Sequence, residues 1–258
     1  MKYNSQATVI CMHIPKTAGT SLRTIAQRFY TEEEMYMVYG TADGYHDPAD
    51  FLALSDFAKA KIRFICGHIP FGFHRLVLNP CVYITMLRDP VEQMISMFTH
   101  FSQNENHYHY SRIRSNKLSI GDFIRSEITT ETDNLQTRML SGRLEKPGRT
   151  TAEMLEIAKR NLAEHFPVYG LTEYFEESIL RIRDSLGWRL HHSSPGRTFD
   201  QESPFHERAN VSIDRPKTEA LSQDDMDAIM SYSELDRQLY TYAEKLFLQK
   251  NQLIAKVV

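Results

Sequence analysis

An uncharged apolar run that passes through a tight turn into a helical segment constrains this chain more than any other feature. Ala7 to Ile14 is β-branched and apolar, the pattern of a strand covered on both faces. Pro15 to Gly19 reads as a turn, and Thr20 to Tyr30 as a helix. The same alternation returns along the first half. A strand at Met35 to Val38 precedes a helix at Pro48 to Ala58, which Asp47 caps and Pro48 opens. Short strands at Arg63 to Cys66 and Val82 to Leu87 follow, and Asp89-Pro90 opens a helix reaching about Phe101. Strands separated by helices of this length build βαβ units and a parallel sheet covered by helices on both faces. The expectation is an α/β fold.

The middle is mostly helical, at Ser119 to Ser126, Asp133 to Leu140 and Thr151 to Glu164. A strand at Pro167 to Leu171 and a helix at Glu173 to Leu186 come next. The stretch His191 to Asn210 is rich in Ser, Pro, His and charge, and reads as a long surface loop of the kind that often carries function. Ser222 followed by Asp225 resembles a capping box, and Leu235, Leu239, Tyr242 and Leu246 form the apolar stripe of a last helix. A chain of 258 residues supports a sizeable core, and a single domain spanning 1–258 is expected.

Composition then removes several function classes. With 41% hydrophobic and 24% charged residues, the chain has the balance of an ordinary globular protein. A net charge of −3 argues against a nucleic-acid binder or a polybasic membrane-surface protein. Arginine supplies 19 of the 30 basic residues, which suits local bidentate anion sites. The apolar run from Ala7 to Pro15 is far short of the ~20 residues of a membrane span, and MKYNSQ lacks the pattern of a secretory signal. Cys11, Cys66 and Cys81 form no CxxC pair and each lies in an apolar run, so buried reduced thiols in a cytoplasmic protein are expected. No Lys follows a Gly, which excludes a Walker A loop, and there is no GxG, HExxH or GxSxG.

The most informative segment is His13-Ile-Pro-Lys-Thr-Ala-Gly-Thr-Ser-Leu22. It lies between a buried strand and a helix, where backbone N–H groups converge and the helix dipole favours an anion. Gly19 allows close backbone approach, Thr17, Thr20 and Ser21 offer hydroxyls, and Lys16 offers a point charge. A plain strand-to-helix turn with polar caps explains the Thr, Gly and Ser, but leaves the lysine at the loop entrance without a role. In Val82 to Ser96 a second buried strand delivers Arg88 to its end, Asp89 caps the next helix, and Ser96 falls two turns into it. Taken alone, Arg88 is as well explained by a surface salt bridge. A third segment, Cys66-Gly-His-Ile-Pro-Phe-Gly72, places His68 after a glycine at a strand end.

These segments resemble the sulfotransferases that use 3′-phosphoadenosine 5′-phosphosulfate (PAPS). PKTAGTS after a strand resembles their 5′-phosphosulfate loop, and the form HIPKTAGTSL is closest to the carbohydrate branch with the heparan sulfate 2-O- and 6-O-sulfotransferases. The resemblance implies a P-loop-type three-layer fold, with a central parallel sheet flanked by helices. It implies PAPS as donor, bound by Lys16, Thr17, Ala18, Gly19, Thr20 and Ser21, with Lys16 steadying the bridging oxygen as charge develops on the leaving phosphate. Arg88 and Ser96 match the binders of the 3′-phosphate, and His68 matches the general base on the acceptor hydroxyl, with His13 and His74 as rivals. His13, at the end of a buried strand, reads as structural. Arg208, in Arg208-Ala-Asn-Val-Ser212, falls where family members cover the adenine and the 3′-phosphate.

Weaker matches lie at Asp133 to Gly142 and Tyr169 to Glu177. Within the first, Arg138 suits an anion contact or a helix-surface salt bridge equally. His100 to Arg114 reads as an acceptor-side lid or a solvated loop, and His107 with His109 lacks the further ligands of a zinc site. The expected activity is sulfuryl transfer from PAPS to a hydroxyl of a sugar or small molecule, without a metal. The rivals are an atypical P-loop kinase and a non-catalytic nucleotide-binding module.

Overall fold

The computed structural model describes residues 7–39, 47–188 and 221–254. Five strands form one parallel sheet: β1 (Thr8–Met12), β2 (Met35–Val38), β3 (Phe64–Gly67), β4 (Cys81–Leu87) and β5 (Gly170–Leu171), in the order β2-β3-β1-β4-β5. The helices are α1 (Gly19–Ala26), α2 (Pro48–Ala53), α3 (Asp56–Lys61), α4 (Pro90–Gln103), α5 (Tyr110–Ser115) and α6 (Ile120–Arg125). They continue as α7 (Leu135–Ser141), α8 (Ala152–His165), α9 (Phe175–Leu186), α10 (Gln223–Tyr232) and α11 (Glu234–Ile254). The expected α/β fold with a parallel sheet flanked by helices is present. No described helix is long and apolar enough to cross a membrane.

The chain divides into two compact units, one built on the described residues through Leu87 and from Ala163, the other on Arg88–Leu162 and the C-terminal helices. The sheet lies entirely in the first. β1 is central, with β3 on one side and β4 on the other, so its carboxyl end lies where open α/β sheets bind ligands. Alternate strand residues, Val9 and Cys11, Phe64 and Cys66, Ile84 and Met86, form one sheet face. Leu22, Ile25 and Ala26 of α1 and Ile179, Ile182 and Leu186 of α9 cover that face at helical spacing. In the second unit, Met94 and Ile95 of α4, Ile120 and Ile124 of α6, and Ala228 and Ile229 of α10 make a smaller core.

Several elements differ from the sequence reading, each for a local reason. The helix read at Pro48 to Ala58 is two, because the Ser55 hydroxyl accepts from the Ala58 N–H at 3.3 Å and starts α3 afresh. The helix after the loop stops at Ala26, where the chain turns so that Phe29 stacks on Trp188 at 4.9 Å. His100 to Arg114 is a loop only in its middle: α4 continues to Gln103, α5 begins at Tyr110, and in the exposed connection between them His109 is buried against Phe101 and Phe123. Cys11 and Cys66 are buried free thiols as expected, whereas Cys81 is only half-buried.

The buried stripe of α11 is Leu239, Tyr240, Ala243 and Phe247, with only Leu239 shared with the stripe read from the sequence. The helix is rotated because its Asp236 carboxylate caps α7, accepting from the Gln136 N–H at 3.0 Å and the Thr137 N–H at 2.7 Å. Asn134 returns the favour through Oδ1, accepting from the N–H groups of Leu235 and Asp236. The loop read at His191 to Asn210 lies outside the described residues.

Candidate functional site

The loop after β1 is held by backbone conformation. Lys16 (φ 64°) and Ala18 (φ 67°) both occupy the left-handed region, which costs a non-glycine residue about 1–3 kcal/mol. Alternating left- and right-handed residues turn successive N–H groups toward one side, the geometry of an anion nest. Ala18 precedes α1 and has no polar side chain to cap it, and a helix N-terminus of this kind suits an anion. Lys16, Ala18 and Thr20 are half-buried, and Gly19 and Ser21 are buried. Thr17 is fully buried, and its hydroxyl donates to the Ile14 carbonyl at 2.8 Å. From β5's end, the Thr172 hydroxyl is shared between the carbonyls of Thr17 and Leu87, each at 3.0 Å, which ties the loop to β4.

Beside the loop, the ends of β1, β2 and β3 bring three rings together. His13 is buried, with Nδ1 2.7 Å from the Tyr39 hydroxyl, and that hydroxyl lies 3.2 Å from Cys66 Sγ. His68 is exposed, and its ring packs edge-on against His13 and against Tyr39, both at 4.9 Å. The Arg23 guanidinium covers Tyr39 at 5.1 Å. Burial, reinforced by the neighbouring His68, Arg23 and Lys16, holds the His13 pKa well below the ordinary histidine value, so His13 is uncharged. Two glycines make this corner possible. A Cβ on Gly19 would sit 1.9 Å from His13 Cδ2, and one on Gly67 would sit 1.9 Å from the Val38 carbonyl oxygen.

The rival base His74 is occupied elsewhere in the same unit. The Tyr83 oxygen accepts the N–H groups of Gly72 at 3.2 Å and His74 at 2.9 Å, and lies 3.0 Å from His74 Nδ1.

In the second unit, Arg88 directly follows β4, and the Gln136 side chain grips its backbone on both sides. Gln136 Oε1 accepts from the Arg88 N–H at 3.2 Å, and Nε2 donates to the Arg88 carbonyl at 2.8 Å and to Gln93 Oε1 at 2.9 Å. The Arg88 guanidinium is 3.9 Å from Glu92, a loose one-turn pair. Ser96 is buried on α4. Arg138 is neither an anion contact nor a surface salt bridge. It is fully buried and spends its N–H groups on the Asp133 carboxylate and the carbonyls of Asp133, Glu145 and Lys146. Arg208 lies outside the described residues.

A family model described as galactose-3-O-sulfotransferase matches residues 2–256. The chain belongs to the galactose-3-O-sulfotransferase family. The human galactose-3-O-sulfotransferase 3 is 26% identical over 201 residues, covering 71% of this chain and 45% of the relative. The bovine protein of the same name is 23% identical over 261 residues, covering 94% of this chain and 57% of the relative. The chain thus spans about half the length of the curated relatives it matches. Among solved structures, a mouse sulfotransferase SULT7A1 complexed with PAP aligns at 13% identity and a TM-score of 0.40, over 74% of this chain and 62% of that one. The finer placement beside the heparan sulfate 2-O- and 6-O-type enzymes gives way to the galactose-3-O branch.

Three residues of this family member went unread in the sequence as parts of a site: Tyr39, Thr172 and Gln136. Thr172 and Gln136 lie inside the two weaker segments, but their work is to bind backbone groups distant in sequence, which has no local signature. Tyr39 closes a strand that carries no motif.

Proposed function

We propose that this chain transfers a sulfuryl group from PAPS to a hydroxyl of a galactose-containing acceptor and releases adenosine 3′,5′-bisphosphate. The observation that carries the reading is the loop, with left-handed Lys16 and Ala18 leading into α1, in a chain of the galactose-3-O-sulfotransferase family. A set of backbone N–H groups, hydroxyls and one lysine fits a phosphosulfate, which is all acceptor oxygens. The chemistry requires a bond from the acceptor oxygen to sulfur as the bond from sulfur to the 5′-phosphate oxygen breaks. In our reading His68 takes the acceptor proton, and Lys16 faces the charge that collects on the leaving phosphate. Thr17 to Ser21 hold the 5′ end, and Arg88, Ser96 and Arg208 serve the 3′-phosphate. The 3-hydroxyl of galactose is the acceptor position we favour, because the family is named for it.

Two measurements test the reading together. Adenosine 3′,5′-bisphosphate at about 100 times its dissociation constant adds about 2.7 kcal/mol and raises the melting temperature, while ATP with Mg²⁺ does much less. Labelled PAPS with methyl β-galactoside yields a 3-O-sulfated product. Equal stabilisation by ATP, lost on chelation of Mg²⁺, returns the kinase reading. Stabilisation without any transfer to sugar or water returns the non-catalytic module.

A further inference from the structure

The corner where β1, β2 and β3 end contains one side chain that touches both halves of the proposed chemistry. The His13 ring lies on Gly19, so close that no Cβ fits there, and it also packs against the His68 ring at 4.9 Å. It is anchored by a single strong bond, 2.7 Å from Nδ1 to the Tyr39 hydroxyl. Tyr39 is itself fixed, by Cys66 Sγ at 3.2 Å, by Arg23 over its ring, and by its own edge contact with His68. His68 stands exposed at the strand end, where a side chain has several staggered rotamers to choose from. Two ring walls at 4.9 Å narrow that choice.

We propose that His13, locked by the Tyr39 hydroxyl, is the positioning residue that holds the His68 imidazole in register with the donor loop. This rests on the reading of His68 as the base. In-line transfer depends on the separation of base, acceptor oxygen and sulfur, and a misplacement of about 1 Å costs on the order of 100-fold. His13 sets that separation by filling the space between Gly19 and His68. It neither takes the proton nor touches the donor.

A double-mutant cycle on the full chain tests this, with turnover read as transfer from labelled PAPS to methyl β-galactoside, or to water where no sugar reacts. Tyr39→Phe keeps the ring wall and removes the hydroxyl that anchors His13 and meets Cys66 Sγ. It is expected to lower kcat about 10- to 100-fold. The acceptor KM and the dissociation constant of adenosine 3′,5′-bisphosphate should stay within about twofold, since no ligand contact is lost. In a His68→Ala background, the same change should cost nothing more, because its effect passes through the missing imidazole. His13→Asn, which keeps a polar group at the Nδ1 position but not the rest of the ring, gives the same pattern and substitutes for Tyr39→Phe should that variant melt early. A Tyr39→Phe enzyme as fast as its parent overturns the proposal. So do losses that multiply with those of His68→Ala, because they mark an independent structural role. A fast, folded His68→Ala enzyme removes the base assignment itself, an outcome separate from either.

Discussion

The strained loop after β1 and the α7 segment of the other unit are both built around a cation, and they hold it in opposite ways. At α7 the charge is met inside the fold: Arg138 is fully buried, its guanidinium bound to Asp133 and three backbone carbonyls, and Asp236 accepts from the N–H groups of Gln136 and Thr137 at the helix N-terminus. At the loop, Lys16 stands half-buried in a left-handed conformation, and the following helix begins just after Ala18, which is left-handed too and has no polar side chain to cap it. One region satisfies its charge within the fold. The other carries backbone strain, at Lys16 and Ala18, where a helix begins. The difference teaches which basic residue to treat as machinery, and type and spacing alone do not reveal it.

The sharpest test of that division is a pair of variants at the loop side. His68→Ala should leave the melting temperature near that of the parent, since the ring is exposed, while turnover drops roughly 10²–10⁴-fold. Lys16→Ala should cost about 10²–10³ in kcat, with a much smaller change in the affinity for adenosine 3′,5′-bisphosphate, because leaving-group charge grows toward the transition state. Steady-state kinetics and calorimetry on the same preparations separate the two effects. A Lys16→Ala enzyme that loses affinity and turnover equally would place the lysine on the ground state. Arg138→Met sharpens the comparison from the other side. It leaves the buried Asp133 carboxylate with only the Gly148 N–H and the Thr150 hydroxyl beyond its immediate neighbours. Chemical denaturation should show a loss of about 3–5 kcal/mol. Unchanged stability there, with impaired cofactor binding, would return Arg138 to the anion site.

How far the sequence was legible follows the same divide. The parallel sheet and the loop could be read because their signals are local: the buried run before Pro15, the turn, and the helix spacing after Gly19. The two weaker segments were visible as segments, yet Arg138 was misread, because burial depends on Asp133, Glu145 and Lys146 folding around it. The α11 stripe was misplaced because an acid on an apolar face, Asp236, sets the rotation through bonds to α7 a hundred positions earlier in the chain. Tyr39 was missed since its value comes from His13, Cys66 and His68, contributed by other strands. Polar contacts between distant elements leave no periodicity to find.

Asp236 allows a smaller test of the closed region. Burial pushes its carboxyl up to about 6, despite the two N–H groups it accepts, which pull the other way. A carboxyl that binds its proton more tightly folded than unfolded contributes stability that is complete below pH ~4 and is lost as pH rises through about 6. The difference approaches about 3 kcal/mol at higher pH. Melting curves of the parent should therefore fall between pH ~4 and ~7 relative to Asp236→Asn, which does not titrate. Parallel curves would mean that the helix-capping bonds outweigh desolvation.

The smallest expected effect lies beside the open region, at the turn that holds His74. The Tyr83 oxygen already accepts two backbone N–H groups, from Gly72 and His74, so both lone pairs are used and its own O–H must donate to His74 Nδ1. That bond needs a neutral imidazole. Burial, with the positive charges of His165 and Arg75, moves the His74 pKa below its ordinary value in the same direction. A histidine that binds its proton more weakly folded than unfolded contributes stability that is complete above pH ~6.5 and fades as pH falls through the lower folded value. His74→Asn places an amide oxygen where Nδ1 stands and removes the titration. Against this variant, the parent should hold a constant melting difference above pH ~7 and lose on the order of 1 °C as the solution is acidified below pH ~6. A difference that stays flat through the acid range would show that the imidazole keeps its partner when charged, and would reopen His74 as the residue that carries the proton.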